Sequence, residues 1–82
     1  MDKIETVKNF LHAMKIEERE DGYYIRFRKS KTNKILVDQY YEISKLEDDD
    51  IVRLSDYELL ITKTEFERLY KMYMDKLYAR EV

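Results

Sequence analysis

Asp21-Gly22-Tyr23-Tyr24-Ile25-Arg26-Phe27-Arg28 is the stretch on which the fold turns. Asp-Gly tolerates the positive φ of a tight two-residue turn, so the pair marks a β-hairpin. Beyond it the chain alternates. Tyr23, Ile25 and Phe27 point one way and Tyr24, Arg26 and Arg28 the other, which is the period of a half-buried strand. Residues 35–43 repeat the alternation, with Ile35, Val37, Gln39, Tyr41 and Ile43 on one face and Leu36, Asp38, Tyr40 and Glu42 on the opposite one. For the two odd-numbered sets to share a face, paired positions must sum to an even number, which requires a loop of odd length. A loop of Lys31, Thr32 and Asn33 satisfies this, with Asn33 in the left-handed position. It pairs Phe27 with Val37, Ile25 with Gln39 and Tyr23 with Tyr41 on the buried face. On the other face it pairs Arg28 with Leu36, Arg26 with Asp38 and Tyr24 with Tyr40.

On either side of this predicted hairpin the period changes to that of a helix. Asp2 with Glu5 fits a capping box, and Ile4, Val7, Leu11 and Met14 follow at helical spacing with Phe10 at their edge, predicting a helix over 3–15. At the other end Thr64 with Glu67, or Thr62 with Glu65, caps a second helix over 64–80, whose stripe is Phe66, Leu69, Tyr70, Tyr73 and Leu77. Two further strands, 51–54 and 57–62, flank Ser55-Asp56, although Ser44 with Glu47 offers a short helix cap before them. The order gives a single α+β domain over 1–82: an N-terminal helix, an antiparallel β-meander of three to five strands, and a C-terminal helix packed on the sheet. Whether the helices share one face of the sheet or sandwich it is open at this level.

Composition narrows the chemistry. The 82 residues are 44% hydrophobic and 41% charged, too apolar for a disordered chain and too charged for a membrane protein. No stretch approaches the roughly 20 apolar residues of a membrane span, and no export signal pattern is visible, so a cytoplasmic protein is expected. With no Cys, one His and one Gly, the chain lacks the parts for zinc ribbons, thiol catalysis, a phosphate loop or a multi-His metal site. His12 falls on the flank of the first helix's stripe, and Ser30, Ser44 and Ser55 fall at turns or strand ends, where Ser serves the backbone. Glu47-Asp48-Asp49-Asp50 lacks the spacing of a calcium loop. The expectation is no enzyme, no metal and no cofactor.

What remains is surface. The net charge of −2 hides blocks: four acids against Arg19 in 17–21, five bases and no acid in 22–37, and six acids against Lys45 in 38–50. Alternating blocks form cross-strand ion pairs or a dipolar surface that steers a charged partner. Small, Tyr-rich, Cys-free domains of this kind suit adaptors, antitoxin-like regulators and phage-type inhibitors, so the leading expectation is a module that binds and inhibits or regulates another protein. Its acidic loop, Glu42 and Glu47 to Asp50, would imitate phosphates, and Met72 and Tyr78, off the core stripe of the second helix, would add a partner or homodimer contact. A domain this small buries only about 60% of its unfolded surface, so a homodimer stays open as a further source of burial. The alternative is single-stranded nucleic-acid binding on a sheet face of Tyr24, Arg26, Arg28 and Tyr40, beside Lys29, Lys31 and Lys34.

Overall fold

A computed structural model describes residues 2–44 and 50–80 of the chain. The first element is α1 (Lys3–Leu11). Asp2 caps it, its carboxylate accepting the Glu5 N–H at 2.8 Å. The helix stops short of Met14 because His12 adopts φ 56° and ψ 33°. His12 N–H then bonds to the Asn9 carbonyl and Ala13 N–H to the Lys8 carbonyl, closing the helix end with a left-handed residue.

The strand β1 (Lys15–Arg19) turns into β2 (Gly22–Arg26), pairing Lys15 with Arg26 through to Arg19 with Gly22. The hairpin read from Asp21-Gly22 is present, but its loop is Glu20-Asp21 and neither Asp21 nor Gly22 has positive φ. Gly22 is needed for a different reason: a Cβ there would lie 2.1 Å from the carbonyl oxygen of Ile61 on the neighbouring strand.

The expected strand over 35–43 is a helix, α2 (Lys31–Ser44). Ser30, expected at a turn or strand end, and Asn33, expected in the hairpin loop, cap it: Ser30 Oγ accepts the Asn33 N–H at 3.1 Å, and Asn33 Nδ2 donates to the Arg28 carbonyl at 2.8 Å. Val37 is buried and Tyr40 and Tyr41 half-buried, the i, i+3, i+4 pattern of one helical face, while Ile35 and Leu36 are half exposed. Those two exposed apolar residues, with the β-branched Ile35 and Val37, imitate a strand's composition. None of the cross-strand pairs between 23–28 and 36–41 forms. The strand that pairs with β2 on its other side is β4 (Glu58–Thr62), and β3 (Ile51–Ser55) lies outside it.

The sheet order is therefore β1-β2-β4-β3, two antiparallel hairpins joined through β2 and β4 rather than four strands in chain order. The last element is α3 (Lys63–Arg80), capped by the earlier of the two candidate pairs: Thr62 Oγ1 accepts the Glu65 N–H at 3.1 Å. One core cluster takes Ile16, Tyr23, Ile25, Ile51, Leu59 and Ile61 from the sheet, Val7 from α1, Val37 from α2, and Phe66 and Leu69 from α3. Tyr23 stacks on Phe66 with ring centroids 3.9 Å apart. All three helices thus cover one face of the sheet, which leaves the other without a layer over it among the described residues.

Candidate functional site

The uncovered face is built from the residues that alternate with the core set. Its middle cross-strand row is Glu17, Tyr24, Leu60 and Val52. Towards one end lies Lys15, Arg26, Glu58 and Ser55, and towards the other Arg19, Gly22 and Thr62. Asp50 extends the last row: its backbone carbonyl accepts the Thr62 N–H, and its Oδ1 accepts the Thr62 hydroxyl at 2.9 Å. On β3 the apolar Val52 and Leu54 are about half exposed, at 52% and 48%.

Part of this face is covered by its own side chains. Tyr24 is buried: the Arg19 guanidinium lies over its ring, 4.6 Å from the centroid, and its hydroxyl donates to Glu58. That bond, with burial, holds the Tyr24 hydroxyl protonated above its ordinary range, and the same bond, with one from Ser55, holds Glu58 below the ordinary carboxylate range. On the core-facing side of β3, Arg53 pairs with Asp38 of α2 at 2.5 Å and with Asp56 at 3.4 Å.

The structure does not bring the aromatic-basic group together. Tyr24 and Arg26 share the open face, and Arg28 and Lys29 follow β2 as exposed residues. Tyr40, however, belongs to α2, where its hydroxyl donates to Glu65 of α3 inside the helix layer. Lys31 and Lys34 also stand on α2, and Lys34 pairs with Asp38 at 3.2 Å. Glu17 and Glu58 interrupt the positive charge of the open face.

Of the acidic group, Glu47, Asp48 and Asp49 lie outside the described residues, and Glu42 is exposed on α2. Asp50 is brought instead beside Glu20 and Asp21, acids separated from it by a helix in sequence. These three border a hollow of about 300 Å³ at the end of the sheet. Sequence reasoning noted both acidic blocks but had no local signal for their meeting, which depends on the long-range pairing of β2 with β4. It also missed an apolar groove of about 270 Å³ between α1 and α2, walled by Phe10, Leu11, Phe27, Leu36 and Tyr40, because Leu36 was read on a strand. Met72 and Tyr78 project from α3 at 46% and 62% exposure, and Arg68 Nη1 donates to Met72 Sδ.

Ser30 and Ser55 each serve the backbone: Ser30 Oγ caps α2, and Ser55 Oγ accepts the Tyr57 N–H while donating to Glu58. Among the described residues no group of three or more His, Asp or Glu side chains is placed to hold a metal ion, and no helix is long and apolar enough to cross a membrane. Compared with protein-family models, curated proteins and solved structures, the chain matches none of them. The arrangement offers apolar contact, hydrogen bonding and charge, the means of binding.

Proposed function

We propose that this chain is a non-enzymatic interaction module that binds another protein and inhibits or regulates it by occupying a surface. The observation carrying the reading is the one-sided layering. Three helices bury one face of the sheet, and the other presents Val52 and Leu60, with the acids Glu20, Asp21 and Asp50 at one end and Lys15 and Arg26 among Glu17 and Glu58 at the other. An apolar strip flanked by charges of both signs suits a protein partner, whose interfaces combine an apolar centre with a polar rim. It suits a nucleic-acid strand less well, since stacking needs exposed rings and Tyr24 is covered.

The test has two arms. A partner recovered from the source cell should lose affinity when Val52→Glu and Leu60→Glu are placed on the open face, and when Asp48, Asp49 and Asp50 become Asn. Oligonucleotide binding by the wild type at low salt, weakened by Arg26→Gln and Arg28→Gln, would instead identify a nucleic-acid binder and overturn the proposal.

A further inference from the structure

Resting on the reading of the open face as a protein-binding surface, we infer that the hollow at the β1–β2 turn receives a long basic side chain, Arg or Lys, from the partner protein. The hollow opens beside Gly22, at the row that holds Arg19 and Thr62. Val52 and Leu60 line it together with Glu20, Asp21 and Asp50, acids from two chain segments that meet only in the folded state. Among the described residues the other charged one that borders it is Arg19, whose guanidinium lies over the Tyr24 ring.

A hollow lined by both apolar side chains and carboxylates matches the two halves of Arg and Lys. The methylene stem packs on apolar atoms while the charged head stays at the wet edge, where carboxylates accept its hydrogen bonds. A Leu or Phe would fill the hollow but leave its acids without a counter-charge, and an acidic side chain would be repelled by them. A volume of about 300 Å³ accommodates one such side chain rather than a helix. The hollow adjoins Val52, so a partner lying along the exposed Val52 and its row neighbour Leu60 would reach it without a second surface.

The experiment titrates three short, capped alanine-based peptides, with a central Arg, Leu or Glu, into the isotopically labelled protein while backbone amide resonances are followed. The Arg peptide should give saturable shifts at Asp21, Gly22, Val52 and Thr62, the Leu peptide weaker ones, and the Glu peptide none. In the Glu20→Gln, Asp21→Asn variant, which spares the Asp50–Thr62 contact, the Arg peptide should bind about three- to tenfold more weakly, the loss expected for two solvent-facing charge pairs. Raising the salt from about 20 to about 300 mM should act in the same direction. Equal binding of the Arg and Leu peptides, saturable shifts elsewhere, or no saturable shift at these residues would overturn the inference. If a partner's affinity falls with Val52→Glu and Leu60→Glu but ignores Glu20→Gln, Asp21→Asn, this inference fails while the protein-binding reading stands. If it ignores all four changes, both fail.

Discussion

Glu65 and Arg68, one turn apart on α3, meet in a bidentate pair, with Nε donating to Oε1 at 2.6 Å and Nη2 to Oε2 at 2.7 Å. The carboxylate is buried and the guanidinium half exposed. Tyr40 donates its hydroxyl to the same carboxylate from α2, so one side chain ties two helices together. Removing one partner of a buried polar contact costs more than the contact's net value. Tyr40→Phe should therefore lower stability by about 1 kcal/mol and Glu65→Ala by about 2–3 kcal/mol. Urea unfolding checks this, and Glu65→Ala unfolding at the wild-type midpoint would refute it.

Acid should expose the same contact. Burial pushes the Glu65 carboxyl upward, but the bonds from Arg68 and Tyr40 outweigh it and leave the group below the ordinary carboxylate range. Arg53 does the same for Asp38, and Tyr24 for Glu58. A carboxylate whose folded pKa is depressed stabilises fully above its unfolded pKa and loses that stabilisation as pH falls through the folded one. The urea midpoint should hold from pH 7 to about 5 and decline below that. In Glu65→Gln the decline should be shallower, and parallel declines in the two proteins would remove Glu65 from the explanation.

At the alkaline end the sign reverses. Burial, then the bond to Glu65, raises Tyr40 far above its ordinary value of 10.0, and Tyr23 and Tyr24 are raised as well. A group held neutral in this way stabilises the fold fully below its unfolded pKa and loses that stabilisation as pH rises from there through the folded one. Phenolate absorbance should rise in two stages, the later one coinciding with loss of the circular dichroism signal. A single stage completed while the fold is intact would contradict the burial of these hydroxyls.

Gly22→Ala should be among the most damaging single substitutions. A methyl group there meets the Ile61 carbonyl oxygen at 2.1 Å, and backbone on the central strand cannot step aside as a flexible side chain can. We expect a loss of about 2 kcal/mol or more, read from a thermal melt. A wild-type melt would mean that β2 can move away from β4.

Helix starts and the turn before Gly22 were legible because their signals lie within a few residues, as in Asp2 with Glu5 and Thr62 with Glu65, whereas the end of α1 at His12 was not. The α+β class followed from them. Residues 31–44 were not legible, because Val37, Tyr40 and Tyr41 satisfy a helical stripe while Ile35 and Leu36 complete an alternating one. Only Ser30 and Asn33 at the entrance separate the two readings, and they suit a loop as readily as a cap. That one ambiguity moved Tyr40 onto a sheet face it does not share. The acidic hollow was beyond local reading altogether, since Gly22 and Thr62 become neighbours only through the β2–β4 pairing.

The strand order also bears on how the chain reaches this structure. Each hairpin closes over a short turn and can form within microseconds, whereas joining β2 to β4 must loop out α2 and its flanks. Two hairpins that form locally but are marginal until one distant pairing joins them place the rate-limiting step at that seam. The core side chains Ile25 and Leu59 face each other directly across it.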